Sequence, residues 1–215
     1  VARVWSREEL TRMGEICQKY QVKVVSDEIH ADFVFKGKHQ VFAAISKEFA
    51  DFTITCTSPS KTFNLAGLQI SNIFISNPQI RETFKQDRAG YSQLNVAGLV
   101  GCEAAYSDGE EWYEAMKAYV AANIEYTKEY VKQYLSGVSM TEHEGTYLVW
   151  LDFRGTGLGV EELEDLIIHK AKLWLDSGKI FGEKGKGFQR INVACPRATL
   201  TEALERIRKA LEERK

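Results

Sequence analysis

A lysine ringed by small hydroxyl residues just after an apolar run is a candidate for covalent amine chemistry. Residues 57–67 contain one: Thr57-Ser58-Pro59-Ser60-Lys61-Thr62-Phe63-Asn64-Leu65-Ala66-Gly67. Desolvation would lower the pKa of Lys61 and suit it to Schiff-base formation, while the neighbouring hydroxyls suit a phosphate. The alternative is a surface lysine in a turn. Asp27, in Val24-Val25-Ser26-Asp27-Glu28-Ile29-His30, ends another apolar run. A carboxylate buried there needs a cationic partner, and a protonated pyridine nitrogen would supply one; the alternative is a turn or helix-capping aspartate. His30 suits a lateral hydrogen bond to the same ligand, or is simply a satisfied structural histidine. Arg190, in Phe188-Gln189-Arg190-Ile191-Asn192-Val193-Ala194-Cys195-Pro196-Arg197, is placed to clamp a carboxylate. Such charge-assisted bonds contribute about 1.5–3 kcal/mol, against about 0–1 kcal/mol for the alternative, an exposed ion pair.

The elements that must position these groups show in the periodicity. Ser6 and Glu9 form a capping box, and Leu10, Met13, Ile16, Cys17 and Tyr20 trace one helical face after it. Short apolar runs at 22–25, 52–56 and 72–75 predict strands, and their alternation with helices predicts a mostly parallel α/β sheet. Ligands of such sheets sit beyond the carboxyl ends of the strands, where Asp27 and Lys61 both fall. A helix without Gly or Pro is predicted over 110–135, drawn through Trp112, Met116, Tyr119, Val120, Ile124, Val131 and Leu135. Beyond it come a strand at 146–153, a helix at 160–174, strands near 179–181 and 189–194, and a closing helix inward at Leu200, Ala203, Leu204, Ile207 and Leu211. These make an α+β unit. The glycines of 182–187 have no Lys-Ser/Thr pair in the register of a phosphate loop and predict a mobile loop beside Arg190.

Composition narrows the partners. The 215 residues are 44% hydrophobic, and 28 Lys+Arg against 30 Asp+Glu leave a net charge of −2, so no general basic field invites nucleic acid or anionic lipid. No apolar run approaches the about 18 residues of a membrane span. The cysteines Cys17, Cys56, Cys102 and Cys195 have no C-x-x-C or metal spacing and read as buried thiols of a cytoplasmic protein, with no metal site.

Together the segments Ser26–His30, Ser58–Gly67 and Arg190–Arg197, with Ala105–Trp112 between them, resemble the fold type I, pyridoxal-phosphate-dependent enzymes of aminotransferase class I/II. More narrowly they are similar to the cystathionine β-lyase-like carbon–sulfur lyases. The resemblance implies part of the fold type I large domain at 1–109, a linking helix at 110–135 and a small C-terminal domain at 136–215. It implies that Lys61 forms the Schiff base with pyridoxal phosphate and later moves the substrate Cα proton. Asp27 would pair with the ring nitrogen, keeping the ring an electron sink. His30 would lie where related aminotransferases place a tyrosine near the ring's 3-oxygen, Ser58 and Ser60 would help hold the phosphate, and Arg190 would bind the α-carboxylate.

Two departures are visible. Gln69 stands where many aminotransferases carry a phosphate-gripping arginine, which favours the lyase branch, and Ala2 stands at a usual glycine. The chain opens on Val1, whereas the family runs further toward the N-terminus, with a phosphate loop, a ring-stacking aromatic and an Asn-Pro motif. The expectation is therefore a C-terminal portion of a homodimeric β-lyase for cystathionine or related L-cysteine thioethers, inactive by itself. An aminotransferase is the second reading, and a non-catalytic fragment or interaction module the third.

Overall fold

The structure, a computed structural model, describes residues 1–88 and 93–214. The chain divides into two compact units, Val4–Glu114 and Ala115–Lys215 with Val1–Arg3.

The first unit begins with α1 (Arg7–Lys19), whose Ser6–Glu9 capping box forms as expected. Its inward face is narrower than the periodicity predicts. Leu10 and Gly14 are buried, whereas Met13, Ile16 and Tyr20 are exposed. The reason is the partner: Leu10 joins Phe42, Phe49 and Phe52 in a small cluster, and the Phe49 ring lies so close to Gly14 that a Cβ there would strike it. Strand β1 (Val24–Asp27) pairs in parallel with β2 (Thr53–Thr57), matching Asp27 with Cys56, and the short helix α2 (Lys47–Asp51), capped by Ser46, lies between them in sequence. Strand β3 (Asn72–Ile75) then runs antiparallel to β2, so the described three-stranded sheet is mixed, in the order β1-β2-β3. The unit closes with α3 (Pro78–Arg88), α4 (Val96–Asp108) and the first turn of α5 (Glu110–Tyr134).

Most of α5 lies in the second unit. Val120, Ile124, Thr127 and Val131 make its buried stripe, and the fully buried Asn123 is its polar anchor. The Asn123 amide donates to the carbonyls of Val193 (2.8 Å) and Cys195 (2.9 Å), and its oxygen accepts from Arg197 Nε at 2.8 Å. Strands β4 (Ser139–Met140), β5 (Leu148–Asp152), β6 (Asp176–Ser177) and β7 (Phe188–Asn192) form an antiparallel sheet in the order β4-β5-β7-β6. Between β5 and β6 lies α6 (Val160–Asp165), and α7 (Arg197–Glu212) closes the chain.

Two expectations change here. The predicted helix at 160–174 is α-helical only to Asp165 and widens into a π-helix over Leu166–Lys170, with Ala171 N–H bonded back to Leu166. The wider turn keeps Leu163, Leu166, Ile167 and Ala171 buried while Lys172 turns left-handed (φ +54°) and Trp174 is left exposed. The predicted strand at 179–181 is instead a 3₁₀ turn, Gly178–Phe181, followed by a second, Glu183–Gly185. Gly178 packs its backbone against that of Gly185, an approach a side chain at either position would block. The cysteines are free and half-buried, not sequestered as the sequence suggests. Among the described residues no helix is long and apolar enough to cross a membrane and no cluster offers a metal site.

The Gly14 contact is testable: Gly14→Ala should destabilise the fold by about 1–3 kcal/mol through overpacking against Phe49, read by denaturant unfolding, although alanine is the better helix former.

Candidate active site

Because β1 and β2 are parallel neighbours, the turns that leave their carboxyl ends emerge at one edge of the sheet. The first turn carries Asp27 and His30; the second carries Ser58, Ser60 and Lys61.

Asp27 is exposed, not buried as the sequence argument supposes. Its Oδ1 accepts the N–H of Ile29 at 3.2 Å, an Asx turn that leaves Oδ2 without a partner among the described residues. The buried carboxylate of this segment is its neighbour. Glu28 accepts from Ser26 Oγ (2.9 Å) and the Phe42 N–H (3.1 Å), and its other oxygen lies 2.8 Å from His39 Nε2. Burial pushes the pKa of Glu28 up, but the bonds from His39, Phe42 and Ser26 outweigh it and hold the carboxyl below its ordinary value. The turn continues through Ala31 N–H to Glu28 O and Phe33 N–H to His30 O, and buried Phe33 fixes its far end. His30 is half-buried, its ring 6.4 Å from that of Phe33.

Lys61 is exposed, so this chain's own residues do not supply the desolvation that the sequence argument invokes. Its backbone is nonetheless held on both sides. Phe63 N–H bonds Pro59 O at 2.8 Å and Leu65 N–H bonds Ser60 O at 3.0 Å. Thr62, 2% exposed, donates to Asp32 Oδ2 at 2.6 Å. Phe63 stacks on Trp112 (5.6 Å between ring centroids) and meets Tyr106 edge-on (6.4 Å). Burial, then the charges of Cys102 and Asp32, raise the pKa of Tyr106, against weaker bonds to Thr57 and Asn72.

Ser58 and Ser60 have separate tasks. Ser58 is buried, and its hydroxyl donates to Ile70 O at 2.6 Å. It has one proton, so its 2.8 Å contact with Ser60 Oγ must be donated by Ser60, and Ser60 N–H adds a third bond at 3.0 Å. Ser60 can rotate its proton toward a ligand; Ser58 cannot without abandoning a carbonyl. Gln69 sits in a left-handed conformation (φ +51°) after a 3₁₀ turn.

In the second unit, Arg190 Nε and Nη2 both reach Asp176 Oδ2, at 3.1 and 2.7 Å, across the β6–β7 pair. Phe181 lies 4.7 Å beneath the guanidinium. Asp176 grips the side of the fork, so the Nη1 edge stays available to a second carboxylate. Glu28, Asp32, Thr62 and Asp176 carry much of this geometry, yet no motif spacing singles them out.

Since the folded-state pKa of Glu28 lies below its unfolded value, its contribution is present above that value and lost as pH falls through about 4.5 toward the folded one. Glu28→Gln should cost about 1–3 kcal/mol at pH 7 and lessen the acid-side fall in stability, measured by denaturant unfolding across pH 3–7.

The family model described as aminotransferase class I and II matches residues 2–207. Cystathionine beta-lyase PatB of Bacillus subtilis is 42% identical over 212 residues, covering 97% of this chain and 55% of its own length. A cystathionine beta-lyase of Corynebacterium glutamicum is 35% identical over 97% of this chain and 56% of its own. Among solved structures, cystalysin from Treponema denticola, which contains a pyridoxal 5'-phosphate cofactor, superposes with a TM-score of 0.95 at 40% identity, covering all of this chain and 55% of cystalysin. The chain thus spans about half the length of the relatives it matches. A family match across nearly every residue, joined to so close a superposition, establishes that the chain belongs to the aminotransferase class I and II family.

Proposed function

We propose that the protein is a pyridoxal-phosphate-dependent carbon–sulfur β-lyase that cleaves cystathionine or related L-cysteine thioethers to a thiol, pyruvate and ammonia. The observation that carries the reading is the delivery of an accessible carboxylate, Asp27, and an accessible amine, Lys61, to one edge of a sheet by adjacent parallel strands. Those groups fit the cofactor: Oδ2 of Asp27 is left to accept from a protonated ring nitrogen, and the Lys61 amine is open to a carbonyl. The relatives named cystathionine beta-lyase and the pyridoxal phosphate of cystalysin support it further. So does the presence of Gln69, and not an arginine, after the lysine loop.

When bound, the cofactor withdraws electrons from the substrate Cα. Once the substrate amine had displaced it, Lys61 would be free to take the Cα proton, the β-thiolate would depart, and water would complete the release of pyruvate and ammonia. Asp27 would hold the ring nitrogen protonated, and His30 would supply a hydrogen bond from the side. Ser60, supported by Ser58, would donate to the phosphate. Arg190 presents its Nη1 edge to the substrate α-carboxylate while Asp176 and Phe181 keep the fork from swinging. The family resemblance supports reading 1–109 as part of the cofactor domain, 110–135 as a linking helix and 136–215 as the small domain; the break after Glu114 falls within that helix. The family resemblance supports a homodimer, and the four free thiols a cytoplasmic setting.

With pyridoxal phosphate and cystathionine, the full-length protein should produce pyruvate in a lactate-dehydrogenase-coupled assay, and Lys61→Ala should abolish both turnover and the visible band of the lysine-bound cofactor. Transfer of the amino group to a keto acid without pyruvate release would favour the aminotransferase reading instead. Unchanged turnover in Lys61→Ala would overturn both.

A further inference from the structure

We infer that Asp32 is a positioning residue for Lys61, reaching it through Thr62 and locking the two strand-end turns into one platform. This rests on the reading of Lys61 as the reacting amine. Asp32 lies two residues beyond His30 in the turn after β1, while Thr62 directly follows Lys61 in the turn after β2. The hydroxyl of buried Thr62 donates to Asp32 Oδ2 at 2.6 Å, within the short range of bonds to an ionised acceptor. The backbone carbonyl of the same residue accepts the Tyr113 hydroxyl at 2.7 Å. Tyr113 in turn belongs to the aromatic group that surrounds Phe63, the residue after Thr62, at 6.5 Å between ring centroids.

Asp32 thus meets the lysine loop twice, directly at Thr62 and through Tyr113 beside Phe63. With Glu28 fixing the start of its own turn and Phe33 the end, Asp32 sets the spacing between the Asp27 carboxylate and the Lys61 backbone. The lysine side chain is left as the exposed part of a tethered segment. Proton transfer at Cα depends steeply on where the amine stands, and displacement on the order of 1 Å costs up to about a hundredfold in rate. Loss of the bond should therefore appear in turnover and not in substrate affinity.

The test compares Thr62→Val, which keeps the shape and removes the donor, with Thr62→Ser, which restores it, in the pyridoxal-phosphate-loaded full-length protein. Thr62→Val should retain the cofactor band, lower kcat about tenfold with KM within about twofold, and change the visible circular dichroism of the bound cofactor; Thr62→Ser should return kcat and the dichroism toward the parent. Should Thr62→Val fold poorly, Asp32→Ala, which removes the acceptor at a solvent-exposed residue, is expected to shift kcat and the dichroism in the same direction. A cofactor band in the parent with no change in either variant would overturn the role of Asp32 alone. So would a loss that tracks the melting temperature and is not rescued by serine. If the parent itself forms no band through Lys61, the reading of the lysine fails and the inference with it.

Discussion

The hydrogen bond from Thr62 to Asp32 joins the two turns at the β1–β2 edge that carry Asp27, His30, Ser58, Ser60 and Lys61. Parallel pairing brings those turns to the same edge, but pairing alone leaves each free to take its own path beyond the last ladder bond. A short bond to a carboxylate, with its donor residue almost wholly buried, removes that freedom. The packing of Phe63 against Trp112 and Tyr106 then fixes the lysine loop from its other side.

Two buried polar groups do comparable work elsewhere. The Glu28 carboxylate gathers Ser26, Phe42 and His39, which ties the start of the first turn to residues 11 and 14 positions downstream. Asn123 joins the middle of α5 to the segment after β7, using two amide protons and its oxygen on three separate partners. Each is satisfied where an apolar side chain would leave backbone donors or carbonyls unpaired, which explains why polar residues occupy such enclosed positions. By contrast, the groups proposed to meet ligands, Asp27 and Lys61, stand exposed, in turns held by the buried Glu28 and Thr62.

Arg190 forms the ion pair that its sequence context allows and keeps one edge of its guanidinium outside that pair. It is ion-paired, to Asp176, and it still offers an edge, because a side-on grip uses Nε and Nη2 only. Stacking on Phe181 adds an orientation that a flexible surface arginine lacks.

Local signals in the sequence determined the Ser6 capping box, strand β3, the long helix α5, the closing helix α7 and the order of the motifs, since caps and periodicity act within a few residues and need no distant partner. The motif order also made the family legible. Only the tertiary structure decided that Glu28 and not Asp27 is the buried carboxylate, that Met13 and Ile16 face outward, and that the helix through Leu166 widens into a π turn and leaves Trp174 in solvent. It likewise decided that β3 runs antiparallel and that Asp176, Asp32 and Thr62 find their partners. These outcomes depend on contacts between residues up to 70 or more positions apart, as with Asn123 and Val193, and on which neighbour has room for which side chain, neither of which a periodic pattern encodes.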